Sequence, residues 1–61
     1  AAADFDLSGT LAEAVERAAR AVERRKIAGA LRAHSGNKTR AAEELGVSYK
    51  TLLTKIKDYE L

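Results

Sequence analysis

The sequence lacks the residues with which small proteins most often reinforce a small core. It has no cysteine and a single histidine among its 61 residues, which excludes a disulfide framework and a zinc site built from cysteine or several histidines. A chain of this length gains little net stability from hydrophobic burial alone. We therefore expect additional support from oligomerisation or from a larger protein to which the domain is attached. The absence of cysteine is also consistent with a reducing cytosol.

Proline is absent as well, and no apolar run reaches the roughly 20 residues that cross a bilayer. No signal peptide is visible. Alanine is abundant, and leucine, arginine, lysine and glutamate fill most other positions, a composition that favours helices. These features predict one all-α domain with a single core and no membrane partner.

Charge is nearly balanced over the whole chain but not along it. Lysine and arginine number 11 and aspartate and glutamate 9, for a net charge of +2. Residues 1–30 hold five acids and five bases, whereas residues 31–61 hold four acids and six bases. The total is only a weak indication of a polyanionic partner, but the positive excess lies in the second half.

Residues 1–9 are interpreted as a lead-in to the domain or the remnant of a linker, and residues 10–61 as the folded domain. Ala1–Ala3 fit an expression remnant or the end of a linker. Phe5 and Leu7 alternate with polar residues. We expect these two apolar side chains to hold the lead-in against a surface of the domain.

A long helix is predicted from Leu11 to about Ala33. Thr10 and Glu13 have the spacing of a capping box, in which each side chain accepts a hydrogen bond from the other residue's backbone amide. Within the helix, apolar residues first recur at steps of four, three and four, as in a coiled coil. These residues, called the seam below, are Leu11, Val15, Ala18 and Val22.

The seam is predicted to be a dimerisation surface. A helix of about 24 residues is roughly 36 Å long, and a chain this short has no other element long enough to cover its first half. The apolar face rotates after Lys26, so residues 27–34 are expected to supply the intramolecular core. The alternative is a helix that kinks at Gly29 and folds back on itself.

Two short helices follow, joined by a turn that contains glycine. Gly36 is expected to end the long helix, and residues 38–45 to form the next one. Gly46 ends that helix, and Ser48 caps a last helix that runs to about Tyr59. The whole pattern is typical of a helix-turn-helix: Ala41-Ala42-x-x-Leu45-Gly46-Val47-x-x-x-x-Leu52. Such a unit presents its second helix to the major groove of DNA, which is ~12 Å wide.

The outward face of the last helix predicts how DNA would be contacted. Its N-terminal residues are best placed to reach base edges, and the residues predicted to do so are Tyr49, Lys50, Thr51 and Thr54. Exposed basic and hydroxyl residues around both short helices are predicted to contact phosphates: Lys38, Thr39, Arg40, Ser48, Lys55 and Lys57. Leu53 is better explained as a residue at the edge of the core than as a base contact.

The basic face alone is a weak signal, because many helical bundles carry lysines on a solvated face. The Ala-Ala and Leu-Gly-Val segments, the Ser48 cap and the basic face together make DNA binding the stronger interpretation. Nothing in the sequence indicates catalysis, a metal site or a cofactor. There is no glycine-rich phosphate loop. His34 has no serine or aspartate partner at a motif spacing, and we interpret it as a helix-end residue.

These segments together resemble the Fis-type DNA-binding domain that ends bacterial enhancer-binding proteins of the nitrogen regulatory protein C family. The resemblance covers residues 11–61 and is carried by three stretches: Glu23-Arg24-x-x-Ile27-x-x-Ala30-Leu31, Gly36-Asn37-Lys38-Thr39-Arg40-Ala41-Ala42-Glu43-Glu44-Leu45-Gly46-Val47-Ser48 and Thr51-Leu52-x-x-Lys55-Ile56-Lys57-x-Tyr59. It implies a homodimer, held mainly by the long helix, on a palindromic upstream site. It also implies contact with sigma-54 RNA polymerase only through an ATPase domain outside this chain, in the bacterial cytoplasm at the nucleoid.

Two positions depart from the pattern of that family. Tyr49 stands where the family often has arginine, so an arginine–guanine contact is not expected there. Asp58 replaces a residue that is frequently basic. A free-standing Fis-like nucleoid protein that bends DNA is one alternative, although residues 1–9 are too short for its additional helix and β-rich arm. A helical protein-interaction module is the other alternative.

Overall fold

The computed structural model describes residues 5–61, which form three helices and no strand. Helix α1 spans Leu11–Ala33, α2 spans Lys38–Leu45 and α3 spans Tyr49–Asp58. The all-α architecture predicted from the sequence is therefore confirmed, as are the helix limits to within a residue. Ala1–Ala3, interpreted above as a remnant or linker end, lie outside the described residues. None of the three helices is both long and apolar enough to span a membrane.

Helix α1 begins at the predicted capping box. The Glu13 amide donates to the Thr10 hydroxyl at 3.2 Å, and the Thr10 amide donates to Oε1 of Glu13 at 2.8 Å. Two amides that have no partner inside the helix are satisfied in this way. The helix then runs unbroken through Gly29, so the alternative of a helix folded back on itself at that residue is not what the structure adopts.

The turn between α2 and α3 is built on a left-handed glycine. Gly46 has a φ of 70°, in the region that glycine adopts without steric cost. The reversal lets the Val47 amide donate to the carbonyl of Ala42 at 3.1 Å, which closes the end of α2. Ser48 then starts α3 by accepting a hydrogen bond from the Thr51 amide at 3.1 Å. These contacts fix the angle between the two short helices.

The core lies where the three helices meet and is made mostly of small side chains. Leu52 is fully buried and is the largest such residue. It is packed with Ile27 and three alanines that allow close helix approach: Ala30, Ala41 and Ala42. Five partly buried residues surround this cluster: Leu31, Leu45, Val47, Ile56 and Tyr59. Residues 27–34 therefore contribute the α1 side of the core, as predicted.

The first half of α1 extends beyond this core. Three seam side chains are largely exposed, with Leu11 at 83%, Val15 at 59% and Val22 at 57% of their full accessible surface. The fourth, Ala18, is half-buried. No other helix among residues 5–61 covers the seam, and the lead-in comes close to it only at Ala18, beside Phe5. The seam is therefore left as a stripe of apolar surface on an otherwise charged helix.

The lead-in lies along this part of α1, but its apolar residues are not what fastens it. Phe5 and Leu7 stay 50% and 76% exposed, contrary to the expectation that they would hold it. Instead the Arg17 guanidinium donates to the carbonyl oxygens of Asp6 and Ser8 at 2.8 and 3.1 Å. The same group lies 3.7 Å from the Asp6 carboxylate. The lead-in is thus held by a charged side chain of α1.

Candidate nucleic-acid interface

One face of α3 presents polar and basic side chains to solvent. Lys50, Thr54 and Lys57 are exposed, and the helical period places them opposite the buried Leu52. This is the arrangement predicted from the sequence. It gives a helix whose inner side is held by the core and whose outer side is available to a partner.

The N-terminal tip of α3 is ordered by hydroxyl groups. The Ser48 hydroxyl accepts from the Thr51 amide and donates to the Thr51 hydroxyl at 2.9 Å. Because Thr51 accepts in the second bond, its own hydroxyl proton remains available as a donor. Ser48, predicted to contact phosphate, and Thr51, predicted to contact a base, are thereby hydrogen-bonded to each other. Ser48 has its hydroxyl proton engaged and can meet an external group only as an acceptor.

Thr54 is oriented by its own helix. Its hydroxyl donates to the Lys50 carbonyl one turn earlier, at 3.1 Å. The donor capacity of Thr54 is therefore used inside α3, while the exposed side chain still offers its methyl group and the acceptor lone pairs of its oxygen. In contrast, the Lys50 side chain is exposed and keeps its three donors. Lys50 is consequently the better donor to a base edge, and Thr54 is suited to an apolar contact.

Tyr49 and Leu53 flank the outer face. Tyr49 is 50% exposed at the first helical position, and Leu53 is 37% exposed, next to the buried Leu52. Leu53 is exposed and is not among the side chains packed against the core, so its interpretation as a residue at the edge of the core stays a prediction. Tyr49 has enough free surface to reach a ligand at the tip of α3.

The start of α2 carries the other predicted phosphate contacts. Lys38, Thr39 and Arg40 are all exposed in its first turn. Asn37 caps the helix, its side chain accepting from the Arg40 amide at 3.2 Å. A helix N-terminus has a partial positive charge from its free amides, which adds to the two basic side chains. This turn can therefore hold an anionic oxygen.

Lys55 differs from the other predicted phosphate contacts because it is paired within the chain. Its Nζ lies 2.6 Å from Oε1 of Glu23 on α1, and the Tyr59 hydroxyl donates to the same oxygen at 3.0 Å. These hydrogen bonds hold the pKa of Glu23 below its ordinary value of 4.5. The hydrogen bond that Lys55 donates to Glu23 raises the pKa of Lys55 above its ordinary value of 10.5. The contact of Lys55 with phosphate stays a prediction, now in competition with Glu23.

Sequence reasoning did not single out Glu23 as a partner of α3. Nor did it single out Arg20, whose guanidinium lies 5.5 Å from the centre of the Tyr59 ring, close enough for a cation–π contact. Glu23 and Lys55 are 32 positions apart, so no local spacing indicates their pairing. His34, expected at a helix end, does cap α1, and its Nε2 lies 3.0 Å from Oε1 of Glu44 on α2.

A family model decides the identity of this three-helix unit. The model described as "Bacterial regulatory protein, Fis family" matches residues 18–59, more than half of the chain. The chain belongs to the Fis family of bacterial regulatory proteins. It is accordingly a helix-turn-helix DNA-binding domain rather than a catalytic one. No curated protein and no solved structure gives a significant match to the chain.

The limits of the match are informative about the surfaces described above. Both short helices lie inside the region shared with the Fis family, as do all ten residues predicted to contact bases or phosphates. Ala18 and Val22 of the seam also lie within it, whereas Leu11 and Val15 precede it. The part shared with the Fis family is thus the helix-turn-helix together with α1 from Ala18 onward, and the first two turns of α1 lie outside it.

Proposed function

We propose that this Fis-family domain binds double-stranded DNA sequence-specifically as a homodimer, at a palindromic upstream site. The observation that carries the proposal is the outer face of α3, where exposed donor and acceptor groups stand on a helix fixed by its buried side. The small core beneath this face and the uncovered seam on α1 support the dimer.

In this proposal, the N-terminal half of α3 reads bases in the major groove. Lys50 donates to the acceptors of guanine, and the methyl group of Thr54 contacts a thymine methyl. Thr51 donates its free hydroxyl proton to a base acceptor, and Tyr49 contacts the bases at the tip. Since Thr54 has used its donor on its own helix, we assign polar discrimination mainly to Lys50.

Phosphate contacts then set the register of the domain on the duplex. We assign them to the first turn of α2 and the C-terminal end of α3: Lys38, Thr39, Arg40 and Lys57. Arg40 is the strongest of these because its guanidinium can bind a phosphate with two parallel hydrogen bonds. Ser48 is left out because its hydroxyl proton is donated to Thr51 and a phosphate oxygen can only accept. Lys55 is left out of this set while it is paired with Glu23.

The domain would act as the DNA-binding module of a larger sigma-54-dependent activator. In that setting it holds the protein on an enhancer, and an ATPase domain outside this chain contacts sigma-54 RNA polymerase. The place of action is then the bacterial cytoplasm, at the nucleoid. The core is small and the seam is exposed, so the domain would gain stability by burying the seam against a second copy of itself.

Selection of bound duplexes from a random pool would define the site, and two substitutions would then test how it is read. Lys50→Ala should relax the preference at one base pair per half-site and cost about 1–3 kcal/mol for each base that Lys50 no longer contacts. Arg40→Ala should weaken binding to all sequences alike and lower the log–log salt slope by about 0.9 for each phosphate that is no longer neutralised. A salt titration on selected and scrambled duplexes measures both effects.

Arg25→Ala is the matched control, because it removes one exposed positive charge from the face of α1 opposite Ile27. It should change neither sequence preference nor the salt slope by comparable amounts.

If Lys50→Ala left the ratio of selected to scrambled binding unchanged while Arg40→Ala abolished it, the roles would be reversed. Equal binding of both duplexes by the unaltered protein would favour a DNA-bending nucleoid protein. No binding even at low salt would favour a protein-interaction module.

A further inference from the structure

A cluster of four side chains connects α1 with the C-terminal half of α3. Glu23 accepts hydrogen bonds from Nζ of Lys55 at 2.6 Å and from the Tyr59 hydroxyl at 3.0 Å. The Arg20 guanidinium lies over the Tyr59 ring at 5.5 Å. Glu23 is half-buried and has both partners on a single carboxylate oxygen. The cluster thus centres on Glu23, one residue after the seam.

The hydrophobic core gives this half of α3 little other support. Leu52 is the only residue of α3 that is fully buried, and Ile56 and Tyr59 are only partly buried beyond it. Both side chains pack against the core, but because neither is fully buried, this half of α3 is held less firmly than Leu52 and can tilt. The hydrogen bonds to Glu23 lie one and two turns further along α3, where they oppose such a tilt.

The cluster also changes the charge that α3 offers to DNA. Lys55 lies closer to the inner side of the helix than Lys50 or Lys57, because 100° steps put it about 60° from the direction of Leu52. Its ammonium is already bonded to a carboxylate, and charge-assisted hydrogen bonds of this kind are about twice as strong as neutral ones. Two of its three donors stay free, but a DNA phosphate that accepted from them would lie close to the Glu23 carboxylate and be repelled by it.

We propose that Glu23 is a positioning residue for DNA recognition, which holds α3 against α1 and withholds Lys55 from phosphate. This inference rests on the proposed DNA-binding function and deepens it. Binding to non-cognate DNA depends almost entirely on the number of phosphates neutralised. If Lys55 is withheld, one phosphate fewer is neutralised and non-specific binding becomes weaker. The base contacts made by the outer face of α3 are unaffected. Glu23 would thereby raise the ratio of specific to non-specific affinity.

A double-mutant cycle on a scrambled duplex tests the withheld charge. Glu23→Gln keeps an acceptor for the Tyr59 hydroxyl but releases the Lys55 ammonium, so its log–log salt slope should be steeper by about 0.9. Its affinity should then fall about three- to fourfold more than that of the unaltered protein between 50 and 200 mM salt, the change that this slope gives. Lys55→Gln alone should leave the slope nearly unchanged. The double variant with both Lys55→Gln and Glu23→Gln should have the salt slope of the unaltered protein.

Glu16→Gln is the matched control for the change in net charge. Glu16 is exposed on the same helix, lines the same groove as Glu23 and makes no hydrogen bond or ion pair among residues 5–61. Both substitutions remove one negative charge from the same face of α1, two turns apart, so a general effect of net charge on DNA binding is common to both. Only Glu23→Gln should steepen the slope by the full amount expected for one lysine.

A measurement without DNA separates this inference from the proposed function. In the unaltered protein the pKa of the Glu23 carboxyl, followed by carbon-13 NMR, should lie below 4.5 and should rise toward that value in Lys55→Gln. Equal pKa values in the two proteins would overturn the inference, as would a Lys55→Gln effect on the salt slope that is the same with and without Glu23. Failure of the unaltered protein to bind any duplex would instead refute the proposed function, and with it the withheld phosphate contact.

Discussion

At the scale of single residues, two adjacent leucines of α3 are expected to contribute very differently to the stability of the fold. Leu52 is fully buried, whereas Leu53 is 37% exposed. We predict that Leu52→Ala lowers the free energy of unfolding by about 2–5 kcal/mol, the usual cost of truncating a buried leucine. For a domain of this size that loss is a large fraction of the total stability. Leu53→Ala, the matched control, should cost less than about 1 kcal/mol. Urea denaturation at one fixed protein concentration measures both, and equal losses would contradict the core described here.

The pairing of Glu23 and Lys55 predicts how stability depends on pH. Because folding lowers the pKa of Glu23, its contribution is present above the unfolded value near 4.5 and is lost as pH falls through the folded value. Folding raises the pKa of Lys55, so that contribution is present below 10.5 and is lost as pH rises through the folded value. Thermal unfolding of Glu23→Gln and the unaltered protein should therefore differ most between about pH 6 and 9. A difference that stays constant down to pH 3 would contradict the pairing.

Residue roles that depend on distant parts of the chain were the hardest to predict. The exposed positions Lys50, Thr54 and Lys57 follow from the helical period once Leu52 is placed inside. Lys55 obeys the same period, but its ammonium is bound by a residue 32 positions away. The helical period predicts the direction in which a side chain leaves the helix. From that direction the long side chain of Lys55 can reach either Glu23 or a DNA phosphate. The sequence therefore predicted the outer face of α3 but not the partner that limits one of its lysines.

At the scale of helices, the sequence was sufficient, because the signals that start and stop them are local. Thr10, Asn37 and Ser48 each cap a helix through a backbone amide three positions later. Such a bond depends on a few consecutive residues and not on tertiary packing. The fastening of the lead-in is the counterexample, because it depends on Arg17, 9 to 11 positions away. Apolar alternation suggested Phe5 and Leu7 for that role instead.

Two glycines in different backbone conformations give a prediction at this scale. Gly46 ends α2 with a φ of 70°, and Gly29 lies inside α1, and at neither would an added Cβ meet another atom within 4 Å. Only backbone conformation therefore distinguishes the two sites. Gly46→Ala should destabilise the domain by about 1 kcal/mol, while Gly29→Ala should stabilise it by about 0.5–1 kcal/mol. Thermal unfolding of the two variants side by side measures this, and a shift of the same sign for both would contradict the role given to backbone conformation.

At the scale of the whole molecule, α1 is longer than the core that it serves. The molecule extends 36 Å along its longest axis, close to the roughly 35 Å expected for a 23-residue helix at 1.5 Å per residue. The buried residues of α1, Ile27 and Ala30, lie in its second half. The first half therefore contributes no buried residue to the core, and its exposed seam is available for a contact with another chain.

The last prediction is that the seam pairs two copies of the chain. Because Val15 is 59% exposed, Val15→Asp leaves the intramolecular core intact. It would, however, place a charge in an apolar interface, where an unpaired charge is costly. We expect a dimer at micromolar concentration by analytical ultracentrifugation and a monomer for Val15→Asp or Val22→Asp. Ala12→Asp adds the same charge at an exposed position outside the seam and should leave the dimer intact. A well-folded monomer of the unaltered protein at high concentration would contradict the assignment of the seam, and with it the symmetric arrangement of two recognition helices on a palindromic site.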